Sequence, residues 1–138
     1  MKNIITILIA SIFVTSMIAC NKEVATTSTD VMQNMISNKT WYLDYSITGN
    51  SVQNFVGQST YFISFLKDGT TKDSDGLIGT YAINKNNGVY TLVVNAKTLN
   101  GNTLNYTHTL ESVGDVKMVQ SFVASGQSNK TTLYFTNK

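Results

Sequence analysis

The chain has 138 residues, with ten Lys, no Arg and eight acidic residues, for a net charge of +2. Arg is the residue best suited to bidentate phosphate contacts, and the lysines are scattered rather than clustered, so nucleic-acid binding has no electrostatic footprint here. Pro is absent, charged residues are only 13%, and Thr, Tyr, Asn and Gly are plentiful, which favours half-exposed strands joined by turns over helices.

Lys2 precedes an apolar run from Ile4 to Ile18. A positive start followed by about 7–15 apolar residues is the pattern of a secretory signal. A spanning helix needs about 20 such residues, more than this run supplies. Met17-Ile18-Ala19-Cys20 ends it. These four residues resemble the lipobox of bacterial lipoproteins, with an aliphatic residue three before the cysteine and a small residue just before it. The resemblance implies cleavage before Cys20, a thioether-linked diacylglycerol on its sulfur and acylation of the new amino group. Cys20 is the only cysteine, so no intramolecular disulfide can form. Residues 1–19 are accordingly expected to be a signal peptide. Residues 20–29, which show no periodicity, are expected to be a lipidated tether reaching roughly 30 Å when extended. Each buried acyl CH₂ contributes about 0.8 kcal/mol, so the membrane is the first partner expected. Lys22-Glu23 faintly resembles the surface-export signal of Bacteroidetes lipoproteins. The expected location is the cell envelope, on the periplasmic face of the outer membrane or on the cell surface.

Beyond the tether the chain suffices for one domain and not two. Asp30 to Ser37 reads as one short helix, capped by Thr29 or Asp30, with Val31, Met32, Met35 and Ile36 on one face. From Thr40 the period is two: Trp41, Leu43, Tyr45 and Ile47 alternate with Tyr42, Asp44 and Ser46. Further strands read as Thr60–Lys67, Leu77–Ile83, Val89–Val94, Thr103–Glu111, Val116–Val123 and Thr131–Thr136, with Ser51–Val56 as an eighth candidate. On Thr103–Glu111 the alternation puts Leu104, Tyr106, His108 and Leu110 on one face. Asp68-Gly69, Asn87-Gly88 and Asn100-Gly101 supply turns. Seven or eight consecutive hairpin strands with no helix between them must close or stack to bury their apolar faces. The expected fold is all-β, an antiparallel up-and-down β-barrel with a short N-terminal helix over residues 30–138; a two-sheet sandwich is the alternative.

Three motifs then fall in order: Asn38-Lys39-Thr40-Trp41-Tyr42-Leu43 after the helix, Phe62-Ile63-Ser64-Phe65 running into Lys67-Asp68-Gly69-Thr70, and Gly79-Thr80-Tyr81-Ala82-Ile83. Together they resemble the lipocalin-like domains of Bacteroidetes lipoproteins, in the calycin group. There the first-strand Trp closes one end of the barrel. Lys39 stands where lipocalins usually carry Gly. The resemblance implies a barrel that holds a small apolar or amphipathic ligand or a partner protein. Trp41, Tyr45, Phe65, Tyr81, Tyr106, His108 and Phe135 are the inward-facing pocket candidates.

Catalytic chemistry has little to work with. His108 is the only histidine, which excludes a multi-His metal site. Asp73-Ser74-Asp75-Gly76 lacks the further ligands of a calcium loop and reads as a turn. No G-x-S-x-G, H-E-x-x-H or P-loop pattern is present. The expectation is a monomeric, non-enzymatic protein without cofactor or metal. A second expectation, a barrel-type protease inhibitor, would use an exposed segment from Ser125 to Lys130, with Ser125, Gly126 and Gln127 as contact candidates.

Overall fold

The computed structural model describes residues 28–58 and 61–138; the expected signal peptide, Cys20 and the tether up to residue 27 lie outside the described residues. One helix, α1 (Ser28–Ile36), precedes nine strands: β1 (Lys39–Thr48), β2 (Ser51–Asn54), β3 (Phe62–Phe65), β4 (Thr70–Asp73), β5 (Ile78–Asn86), β6 (Val89–Lys97), β7 (Thr103–Val113), β8 (Lys117–Val123) and β9 (Lys130–Asn137). Every pairing is antiparallel, and β9 returns to β1 over Trp41↔Asn137 to Thr48↔Thr131. Eight strands, β1 and β3–β9, thus form a closed ring, which leaves no open edge among these eight. The ninth strand, β2, continues the edge of β1 above β3: Lys39–Tyr42 pair with β3, and Tyr45–Thr48 with β2.

Local chemistry explains the entry to the barrel. Asn38 adopts φ 55°, a left-handed conformation that Asn tolerates, and turns the chain from α1 into β1. Its backbone N–H donates to the Phe65 carbonyl at 2.7 Å, and its side-chain oxygen accepts from the Lys67 amide at 3.3 Å. The β3–β4 turn is held by Asp68, whose carboxylate accepts from both the amide (2.9 Å) and the hydroxyl (2.6 Å) of Thr70. The Thr70 hydroxyl is the main reason that the Asp68 carboxyl sits below its ordinary pKa.

α1 lies across one end of the ring, against β5 and β7. Ile36 and Trp41 expose no surface, and the Trp41 indole N–H donates to the Ile36 carbonyl at 2.9 Å. Phe65, Leu92, Val94 and Met118 are equally dry, and Ile63, Tyr81 and Phe135 pack with them. This end is therefore a solid apolar plug. The β3–β4, β5–β6 and β7–β8 turns surround it. The β4–β5, β6–β7 and β8–β9 turns rim the opposite end.

Two sequence expectations need correction. The eighth barrel strand is not Ser51–Val56, of which Ser51–Asn54 forms the extra strand β2, but Thr70–Asp73, which lacks apolar alternation. Its inward position is filled by Thr71, 1% exposed, whose hydroxyl donates to the Ser64 carbonyl at 2.9 Å. Second, β1 carries a bulge: Leu43 opposes Phe135 while Tyr45 opposes Tyr134, leaving Asp44 unpaired with β9. One inserted residue inverts the facing of all that follow. Ser46, not Tyr45, is buried, and Tyr45 stacks on Tyr134 on the outer wall with centroids 4.2 Å apart.

Candidate functional site at the open end of the barrel

Toward the other end the interior becomes more polar, although the buried Leu92 and Val94 of β6 pair directly with His108 and Tyr106 of β7. On β7, Leu110 is buried, Tyr106 and His108 are half-buried, and Asn105 and Thr107 are exposed. This is the facing that period-two alternation reads from the sequence. β8 contributes Met118, Gln120 and Phe122 to the same interior. The His108 ring is sandwiched: Phe122 stacks on it at 4.5 Å and 9°, and Tyr106 leans on it at 4.6 Å and 37°.

Hydrogen bonds set the state of the imidazole. His108 Nδ1 lies 2.9 Å from Gln120 Oε1, while the Gln120 amide nitrogen donates to Met118 Sδ at 3.3 Å. With the amide nitrogen so used, Oε1 accepts and Nδ1 carries the proton, an assignment that rests on the network. In the neutral ring Nε2 is then an acceptor, and it has no hydrogen-bond partner among the described residues. The Tyr106 hydroxyl likewise makes no hydrogen bond with them.

Across the ring, β3 and β4 stand opposite β7 and β8. There Tyr61 donates its hydroxyl to Asp73 Oδ2 at 3.2 Å. The other Asp73 oxygen accepts from the Asp75 and Leu77 amides, both at 2.9 Å, which fixes the β4–β5 turn and shows what Asp73 does there. Burial first, and then the Asp73 charge, push the Tyr106 phenol up to about 12. Burial likewise raises the Tyr61 phenol. Both tyrosines remain neutral donors throughout the physiological range. The Asp73 charge raises both phenols, that of Tyr61 through a direct hydrogen bond as well.

Burial pushes the His108 pKa below its ordinary value of 6.5, and the Gln120 hydrogen bond only partly offsets this. The unfolded chain takes up the proton first as pH falls. The contribution of neutral His108 is thus fully present above the unfolded value and is lost as pH drops through it toward the folded one. Urea midpoints measured between about pH 7 and 5 should therefore fall on acidification, and His108→Gln should flatten that slope. An unchanged slope in the variant would place the ring in water.

The seven pocket candidates are not brought together. Trp41, Phe65, Tyr81 and Phe135 belong to the plug, Tyr45 is on the outer wall, and Tyr106 and His108 alone are half-buried on β7 toward the other end. Sequence reading omitted Tyr61, Gln120 and Phe122; the alternation Met118-Gln120-Phe122 is the signal for two of them. Ser125, Gly126 and Gln127 are exposed in the β8–β9 turn at the same end. They form a closed turn, with Gln127 N–H donating to the Ala124 carbonyl at 2.9 Å, rather than an extended arm. Two concavities lie on the outer wall instead of the lumen. The larger, about 290 Å³, is bordered by Ile78, Thr80, Asn95, Lys97 and Asn105; the smaller, about 90 Å³, lies beside Asp44, Tyr45, Lys117 and Tyr134.

Chemically, the lumen layer offers aromatic faces, one imidazole acceptor and one phenol donor. Among the described residues no three His, Cys, Asp or Glu side chains gather as metal ligands. No family model and no curated protein matches the chain.

Proposed function

We propose that this chain is a lipid-anchored, non-enzymatic protein of the cell envelope that takes a small amphipathic molecule into the open end of its barrel. The carrying observation is the nearness of His108 Nε2 and the Tyr106 hydroxyl, two polar groups without a hydrogen-bond partner among the described residues and set among stacked rings. Ligand sites combine apolar walls with a few polar groups of this kind, and eight-stranded barrels include ones that hold one small ligand as well as ones filled by side chains. Gln120 occupies the place on His108 that a carboxylate takes in a hydrolytic triad. Being neutral, it offsets only part of the loss of basicity that burial imposes on the ring, less than an anionic carboxylate would, which favours binding over catalysis. The ligand chemistry that fits is a flat apolar body bearing one hydrogen-bond donor for Nε2. The anchor rests on the likeness of Met17-Ile18-Ala19-Cys20 to a lipobox. Kinship with the lipocalin-like lipoproteins of Bacteroidetes is supported by the order of the three motifs and the closed eight-stranded ring.

N-phenyl-1-naphthylamine, an apolar ring pair with one N–H, serves as the probe. Its fluorescence should rise and shift to the blue on binding, and His108→Phe, which keeps the stack but removes the acceptor, should weaken binding about tenfold. Equal binding by the variant would refute the role given to Nε2. The anchor has its own check: Cys20→Ser should move the protein from the membrane to the soluble fraction, since no thioether can form. A variant that stays wholly with the membrane would remove that part of the reading.

A further inference from the structure

Among the described residues the large hydrophobics that remain exposed gather at the two ends of the barrel. Val52, Ile78, Leu99, Leu104 and Val123 rim the open end, and a second group occupies the plugged end; Val56, in the loop between β2 and β3, is the exception. Apolar surface in water at both ends calls for two explanations. The open rim belongs to the site above.

At the plugged end every hairpin turn repeats one combination. Leu66 stands beside Lys67 at the β3–β4 turn, Val89 near Lys85 at the β5–β6 turn, and Val116 beside Lys117 at the β7–β8 turn, all six exposed. Val31, on the outward side of α1, adds a fourth exposed aliphatic between them. Aliphatic groups for the acyl boundary, ringed by lysines for anionic headgroups, are what a surface lying on a bilayer needs. Three acids share this end, Asp30, Asp68 and Asp115, the last paired with Lys39 at 3.6 Å, and the lysines Lys39, Lys67, Lys85, Lys117 and Lys138 outnumber them.

The position of the N-terminal segment selects the occupant. α1 begins at Ser28, whose hydroxyl accepts from Lys85 at the β5–β6 turn at 3.2 Å, so the described chain starts at this same end. Cys20 is only eight positions away in sequence. We infer that the plugged end docks on the anionic phospholipid surface that carries the anchor, with Leu66, Val89, Val116 and Val31 dipping into the headgroup boundary and the open end aimed away from the membrane. The inference rests on the lipid-anchor reading. It adds an orientation that a tether alone does not impose, and thereby leaves the mouth of the lumen free.

The test uses the full lipidated chain, purified from membranes and reconstituted into nanodiscs of phosphatidylcholine and phosphatidylglycerol doped with a gadolinium-headgroup lipid. Co-migration with the discs reports the anchor. Amide broadening reports the orientation. The expected pattern is strong broadening at Leu66, Val89 and Val116 with little at Leu99 and Val123. Reversing charge at the turns, Lys67→Glu with Lys117→Glu, should reduce that broadening about tenfold while co-migration persists. Uniform broadening at both ends, or broadening unchanged by the two substitutions, would overturn the docking face while leaving the anchor intact. A chain that does not travel with the discs would overturn the anchor and the docking face together.

Discussion

Trp41→Ala should destabilise the domain by about 3–5 kcal/mol, the range for truncating a fully buried large aromatic. The indole exposes no surface and fills the junction between α1 and the ring. Its removal also orphans the Ile36 carbonyl, which the indole N–H satisfies at 2.9 Å. Trp41→Phe separates the two contributions. It keeps most of the apolar volume but leaves that carbonyl unpaired, at about 1–3 kcal/mol. Equilibrium urea unfolding gives both values, and the slope m should stay constant if only stability changes. A loss below about 1 kcal/mol in the Ala variant would mean that the helix does not plug the barrel.

Gly79→Ala should cost nearly as much for the opposite reason. Gly79 faces Ala96 across the β5–β6 ladder. A Cβ added there would overlap the Asn95 carbonyl oxygen and the Ala96 Cα, both parts of the neighbouring backbone rather than a side-chain end that can swing away. The strands must separate locally, and the upper end of the overpacking range, about 3 kcal/mol, is expected. Gly126→Ala is the control. It meets open space and carries only the cost of its φ of 77°, about 1 kcal/mol. Thermal or urea unfolding should rank the two in that order, and equal losses would show that the close approach of β5 to β6 is not constraining.

The barrel itself was legible because period-two alternation survives along most strands. On β7 it placed His108 and Tyr106 in the lumen without further information. Two kinds of residue defeated it. Thr71 is a polar residue at an inward position, tolerated because its hydroxyl finds the Ser64 carbonyl, so β4 had no apolar signature. Asp44 is a single extra residue in β1, and no pattern of hydrophobicity marks where such an insertion falls. Tyr45 therefore looked like a lumen residue and stands outside, against Tyr134.

The division between the apolar plug and the layer around His108 was hidden for another reason. Alternation tells which face a side chain takes but not its height in the barrel. Phe65 and Phe135 face the same interior as Tyr106, yet the register places them beside the Trp41 floor, and Tyr106 and His108 above it. Only closure of β9 on β1 sets those heights. The partnership of His108 with Gln120 is set instead by the β7–β8 hairpin register, whose irregularity between Leu110 and Ser112 no hydrophobic pattern marks.

The most direct measurement is two-dimensional NMR of the folded chain titrated with N-phenyl-1-naphthylamine. Binding in the lumen predicts the largest shifts at Tyr61, Tyr106, His108, Gln120 and Phe122, with a further change in the His108 ring signals as Nε2 gains a donor. Shifts confined to Ile78, Asn95 and Asn105 on the outer wall, or no shifts at all, would contradict a ligand site inside the barrel.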